Sequence, residues 1–140
     1  MQNSAIFFPV AGMAFLTLVV GVRLLQLRMR AVYKDGLNPG YFSYNRGAKL
    51  PDYLIKATQH YDNLFEMPLL FYLVALFVVL FEQVDLVYTL LAWCYLLLRA
   101  VHAVVHLGRN DLRQRRRLFL ASSLVLYIMW GRLLLQLVLA

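Results

Sequence analysis

Polar side chains recur at helical spacing inside two of the long apolar stretches of this sequence. The set in the second stretch is Lys56, Gln59, Asn63 and Glu66, and the set in the third is Asp85, Tyr88, Tyr95, Arg99, His102 and His106. Intervals of three, four and seven residues put each set on one face of an α-helix. Polar groups are costly within a membrane, so they usually face the interior of a helix bundle and serve a function there.

Arginines from the other two stretches are predicted to lie at the same depth. Arg28 ends the first stretch, and Arg115 and Arg116 precede the fourth. Because successive membrane helices alternate in direction, all four segments bring polar groups to one layer of the membrane. Basic groups predominate in that layer, so the sequence predicts a site for an anionic ligand.

Two interpretations of the central residues remain open at this point. Glu66 and Arg99 are expected to form an ion pair, which either fixes the register of two helices together with Asn63 and His102 or belongs to a ligand site. His102 and His106 are four residues apart and could bind a metal. The sequence places no third ligand with them, so no metal site is predicted.

The elements that must position these residues are four transmembrane helices. The chain has 140 residues, of which 62% are hydrophobic and 15% are charged, whereas soluble domains are about 45–50% apolar and about 25% charged. Apolar stretches at about 6–27, 53–81, 84–107 and 118–139 are each long enough to cross a bilayer as a helix. We therefore predict an all-α membrane four-helix bundle that forms one domain over residues 1–140. This composition argues against a soluble enzyme. A disulfide scaffold is also excluded, since Cys94 is the only cysteine and cannot form an internal bridge.

The net charge of +7 reports the orientation of the chain. Eleven of the 14 basic residues lie in two connections: Arg28, Arg30, Lys34, Arg46, Lys49 and Lys56 in the first, and Arg109, Arg113, Arg115, Arg116 and Arg117 in the third. The positive-inside rule puts both connections in the cytoplasm and both termini outside. The same basic residues would also be attracted to anionic lipid head groups, so membrane topology and lipids together explain the positive net charge. No nucleic-acid-binding module is recognisable, so no nucleic-acid partner is predicted.

The connections differ in length and character. Residues 81–85 predict a tight hairpin, whereas residues 28–51 predict an ordered interfacial loop with a turn at Asn38-Pro39-Gly40. Three aromatic residues suit this long first connection to the membrane interface: Tyr41, Phe42 and Tyr44. Arg132, inside the fourth stretch, is expected to reach the outer interface or to pair with a neighbouring subunit.

Two segments resemble signatures of the MAPEG superfamily, the membrane-associated proteins in eicosanoid and glutathione metabolism. The segment from Gln59 to Pro68 reads QHYDNLFEMP, and it resembles the family's second-helix motif of Asn, then Glu three residues later, then Pro. The segment from Arg99 to Gly108 reads RAVHAVVHLG, and it is similar to the third-helix motif of Arg, then His three residues later, then Gly. Arg28 and Arg30 resemble the basic end of the family's first helix.

This resemblance implies a homotrimer with a glutathione site between subunits, near the cytoplasmic face. The family's enzymes transfer glutathione to lipophilic electrophiles or reduce lipid hydroperoxides. Carried over by position, the residues at the glutathione site would be Arg28, Asn63, Glu66, Arg99, His102 and His106. Glu66 would take the amino group of glutathione, and Arg115 or Arg116 would stabilise its thiolate in catalysis. The implied partners are lipids, a lipophilic small-molecule substrate and further copies of the chain, in a bacterial inner membrane.

The sequence departs from the family pattern at positions that affect charge. Gln59 and Asp62 stand where the family's glutathione-dependent enzymes carry arginines, and His106 replaces a tyrosine. Asp62 would disfavour a nearby carboxylate through like-charge repulsion. These departures favour an alternative function, a non-catalytic membrane scaffold of the same fold that binds a lipid or a partner protein.

Overall fold

The computed structural model describes residues 2–44, 47, 49–109 and 111–139, and these residues form helices and connections without a β-strand. The helices are α1 (Gln2–Ala5), α2 (Phe7–Tyr33), α3 (Tyr41–Tyr44), α4 (Asp52–Leu80), α5 (Leu86–Leu107) and α6 (Leu112–Leu139). Four of them, α2, α4, α5 and α6, are long and apolar enough to cross a membrane. The predicted all-α class and the four apolar helices are thereby confirmed.

Two of the long helices extend beyond the apolar stretches that the sequence marks. α2 continues past Leu27 to Tyr33, and α6 begins at Leu112 rather than near Leu118. Arginine, glutamine and leucine are good helix formers, so the helix persists where the sequence becomes basic. Arg28 and the arginines at 113 and 115–117 therefore lie on helix ends rather than in loops. Arg46 lies outside the described residues.

The four long helices pack around one apolar core. α2 packs mainly on α4, and α5 mainly on α6, with further contacts between α4 and both α5 and α6. Fully buried side chains at the centre include Met13, Phe71, Tyr95 and Met129, and the rings of Phe71 and Tyr95 stack at 4.5 Å. Large apolar side chains also cover the outer surface of the helices, as expected where the solvent is lipid.

The hairpin between α4 and α5 is closed by specific backbone bonds. Gln83 N donates to Val78 O at 2.8 Å and Glu82 N to Val79 O at 3.1 Å, the paired bonds of a Schellman C-cap. Glu82 takes the left-handed conformation that this motif requires, with φ of 57°. The predicted tight hairpin is therefore present.

Asp85 links the start of α5 to α6. Its side chain accepts a hydrogen bond from Tyr88 N at 2.9 Å and so caps α5. Arg132 donates from both terminal nitrogens to the Asp85 carboxylate, one bond measuring 2.8 Å, and its Cζ lies 4.4 Å from the Tyr88 ring centroid. Arg132 thus reaches the connection before α5 and pairs within its own chain, while its expected position at the outer interface stays a prediction. The Arg132 hydrogen bond lowers the pKa of Asp85 to about 2.

The long connection between α2 and α4 packs against both helices. Tyr41 N donates to Asn38 O at 3.0 Å and Gly40 N to Asn38 Oδ1 at 2.8 Å, which confirms the predicted turn. Leu37 is buried in a second apolar cluster with residues of α2 and α4 such as Leu24 and Leu54. The side chain of Tyr44 is outside the described part of the chain.

Candidate functional site

The centre of the candidate site is a buried arginine on α5. Arg99 is 1% exposed, and its Nη2 atom donates to Asn63 on α4, at 2.7 Å to Oδ1 and 3.0 Å to the backbone oxygen. Asn63 thus supplies two acceptors for a charge that lies within the bundle. Arg99 thus links α4 and α5 through Asn63 rather than through the predicted partner Glu66.

The expected ion pair between Glu66 and Arg99 is not formed by these described residues. Glu66 is exposed on the outer side of α4, whereas Asn63 is half-buried and faces α5. A step of three residues turns a helix by about 60° short of a full circle, which is enough to separate the two directions. The hydrogen-bond partner of Arg99 is therefore Asn63 rather than Glu66.

A basic groove lies beside this arginine, between α4, α5 and α6. Its volume is about 280 Å³, and it is lined by Asn63, His102, Leu112, Arg115, Arg116 and Phe119. Four of the predicted site residues from three helices meet here: Asn63, His102, Arg115 and Arg116. We refer to this cavity as the basic groove. Its two arginines and one amide provide donors that suit carboxylate or phosphate groups.

Three other predicted site residues lie elsewhere in the single chain. Arg28 is directed at the connection, with its Cζ 5.3 Å from the Phe42 ring centroid. Glu66 is on the exposed face of α4, as described above. His106 is 1% exposed and contacts another histidine rather than the groove. One chain therefore assembles only part of the predicted ligand site.

All three histidines of the chain meet in one buried cluster. The Nδ1 atoms of His60 and His106 are 3.2 Å apart, and the His102 ring centroid is 5.7 Å from those of both other rings. The sequence predicts no metal site because it places no third ligand beside His102 and His106. That premise is wrong, since His60 lies beside both. His60 lies four residues after Lys56 and three before Asn63, a spacing on the polar face that could have revealed it.

A family model confirms the relationship that the sequence resemblance indicates. The model of the MAPEG family matches residues 6–135, nearly the whole chain. The chain belongs to the MAPEG family. Neither the curated proteins nor the solved structures that were compared give a match to it.

One helix face of this MAPEG protein is both polar and unburied. Gln59, Asp62 and Glu66 are all exposed on α4, at intervals of three and four residues. Phe65 and Leu69 are exposed on the same helix at 56% each. We refer to this surface as the exposed α4 face; carboxylates that face lipid directly are strongly unfavourable.

Proposed function

We propose that this MAPEG protein binds glutathione in the basic groove and either transfers it, through its thiol sulfur, to lipophilic electrophiles or uses it to reduce lipid peroxides. The supporting observation is the convergence of Asn63, His102, Arg115 and Arg116 on one cavity at the basic end of the bundle. Glutathione carries two carboxylates, and arginine binds carboxylates with paired, charge-assisted hydrogen bonds.

The same arginines suit the chemistry of the thiol. The thiolate is the reactive form, and a nearby cation lowers the pKa of a thiol; Arg115 or Arg116 would take this role. In the transfer reaction the thiolate forms a carbon–sulfur bond while the leaving group departs with its electron pair. In peroxide reduction two thiols are oxidised to one disulfide while the hydroperoxide becomes an alcohol and water.

The exposed α4 face supports assembly as a homotrimer, in which the face of one copy is covered by the next. Glu66 would then lie at a subunit boundary, near a glutathione site completed by the neighbouring copy, and Arg28 would contribute from α2. We also propose that the basic helix ends face the cytoplasm of a bacterial inner membrane, since eleven of 14 basic residues lie in the first and third connections or on the helix ends beside them.

A second function is favoured by the charge of the exposed α4 face. Asp62 and Gln59 provide no cation for a dianionic tripeptide, and the buried Arg99 is bonded to Asn63 as a structural link between helices. These observations fit a non-catalytic trimer that binds a lipid or a partner protein. An apolar cleft of about 360 Å³, lined by residues of α2 and α4 such as Val10, Tyr72 and Leu76, would suit a lipid chain.

Calorimetric titration of the detergent-purified protein with glutathione tests the first function. We expect saturable binding that Arg116→Ala weakens at least tenfold, about the loss of one charge-assisted hydrogen bond. Arg117→Ala is the matched control, because it removes the same charge from the next, exposed position, which does not line the groove. Absence of binding at millimolar glutathione would contradict the proposal and leave the scaffold function.

A further inference from the structure

The three histidines form a compact donor set in the interior of the bundle. His60 comes from α4, and His102 and His106 come from successive turns of α5. Their exposures are 0%, 3% and 1%, and one donor nitrogen from each lies within 4.8 Å of the others. Because these are the chain's only histidines, the fold brings every imidazole of the protein to one point.

The ring nitrogens of this cluster are poorly satisfied by the protein itself. His60 Nε2, His106 Nε2 and both nitrogens of His102 have no hydrogen-bond partner among the described atoms. Buried polar groups nearly always have a partner, and an unsatisfied one needs a specific explanation such as an ion. The contact between the Nδ1 atoms of His60 and His106 satisfies only one nitrogen of each ring.

The spacing of the donors is compatible with one tetrahedral ion. Two imidazole nitrogens bound to zinc at about 2.0–2.1 Å in tetrahedral geometry lie about 3.3 Å apart, and His60 Nδ1 and His106 Nδ1 are 3.2 Å apart. The ring of His102 is equidistant from the other two, with centroids at 5.7 Å. A small shift of this one ring would complete a three-histidine site.

We propose that His60, His102 and His106 bind one divalent transition-metal ion of the class that prefers imidazole, such as zinc or copper. Neutral imidazole is the commonest metal ligand in proteins, and three histidines with an open fourth position are a known arrangement for zinc. His102 also lines the basic groove, which gives the ion an entry path. The site does not depend on glutathione binding.

The surroundings set the expected strength of this site. Arg99 and Arg115 are close enough to act electrostatically on the histidines, and the cluster itself contains no carboxylate. Added positive charge is therefore opposed by neighbouring cations, and coordination by the three nitrogens must supply the affinity. Copper should bind more tightly than zinc, as the general order of stability for divalent metals requires.

Metal titration of the chelator-treated protein, prepared without a histidine tag, tests the proposal. We expect calorimetry to give one bound Zn²⁺ per chain. His60→Gln, His102→Gln and His106→Gln should each weaken zinc binding by more than about tenfold, because even the loss of a residue that only supports a metal ligand costs about that much. Gln59→Ala, at the exposed position beside His60, should leave the affinity unchanged. Zinc binding that all three histidine variants retain would overturn the proposal.

A spectroscopic measurement on the unaltered chain keeps the test decisive if the variants fold poorly. Electron paramagnetic resonance of the protein loaded with one equivalent of Cu²⁺ should show hyperfine splitting from three imidazole nitrogens. Added glutathione is omitted, so this result is separate from the function proposed for the groove. A spectrum without nitrogen coupling, or one that shows only loosely bound aqueous copper, would exclude the site.

Discussion

At the scale of single residues, the buried charge of Arg99 is stabilised by an amide rather than by a carboxylate. Its Nη2 atom has two acceptors, both on Asn63. A neutral acceptor leaves a net positive charge inside the bundle, next to a groove that already contains two arginines. An anion in that groove would therefore interact with Arg99 as well as with the residues that line it.

Substitution at Asn63 should be far more damaging than substitution at Glu66. We expect Asn63→Leu to reduce the free energy of unfolding by about 2–3 kcal/mol, because it removes a hydrogen-bond acceptor from a buried guanidinium. Glu66→Gln should change it by less than about 0.5 kcal/mol, as for most exposed positions. Denaturant titration in mixed micelles measures both. Equal destabilisation by the two variants would contradict this prediction and indicate that Glu66 forms an ion pair with Arg99.

At the same scale, Glu82 occupies a conformation that suits glycine. Its φ of 57° costs a residue with a Cβ atom about 1 kcal/mol, and the Schellman cap requires it. We expect Glu82→Gly to raise the free energy of unfolding by up to about 1 kcal/mol. Glu82→Ala, which removes the charge but keeps the Cβ atom, should give no such gain. Thermal unfolding of both variants separates conformation from charge.

At the scale of helices, the sequence predicts which segments cross the membrane better than it predicts where their helices end. Hydropathy identifies the four helices because lipid requires long apolar runs. It underestimates α2 and α6, since the residues from Arg28 to Tyr33 and from Leu112 to Arg117 continue the helix without being apolar. The ends of the helices are instead marked by turn-forming residues. Gly36 lies in the turn after α2, and Gly108 lies between α5 and α6.

For the candidate site, too, the sequence predicts some features and leaves others open. Spacing within one helix predicts that Asn63 and Glu66, or Arg99 and His102, share a face, but it cannot give the rotation of α4 relative to α5. That rotation decides that Asn63 meets Arg99, that Glu66 does not, and that His60 reaches the histidines of α5. Packing of the whole bundle determines these pairs, so the sequence pattern alone leaves them open.

The link between α5 and α6 should be sensitive to acid. The Arg132 hydrogen bond lowers the pKa of Asp85 from its usual 3.8 to about 2. The pair of Asp85 with Arg132 therefore stabilises the fold fully above about pH 4. The contribution should be lost as the pH falls from about 4 to about 2. Since Asp85 is partly exposed, the effect is small after solvent screening. Asp85→Asn, which retains a good N-cap, should lower the melting temperature at pH 7.

The control for this prediction is the pH dependence of the variant itself. Thermal unfolding of the wild-type chain should show a fall in melting temperature between pH 4 and pH 2 that is reduced in Asp85→Asn. An unchanged acid profile in the variant would show that Asp85 is not responsible for the transition.

At the scale of the whole molecule, the single chain buries its apolar core yet leaves Gln59, Asp62 and Glu66 uncovered. Carboxylates facing the bilayer are costly, whereas a neighbouring copy could supply hydrogen bonds and cations. We therefore expect native mass spectrometry from mild detergent to report a trimer. We also expect a cysteine at position 62, in a Cys94→Ser background, to react slowly with a lipid-soluble maleimide in the membrane.

The matched control is a cysteine at Val104 of α5, which is 72% exposed and belongs to the outer apolar surface. Because this position is exposed whether or not the chain assembles, a cysteine there should be labelled at the same rate in the membrane and after dissociation in strong detergent, whatever that rate is in apolar surroundings. Position 62 should be labelled faster after dissociation than before, because the subunit interface protects it in the membrane. An unchanged rate at position 62 on dissociation, together with a monomer mass, would mean that the exposed α4 face has no covering subunit and that the groove functions within one chain.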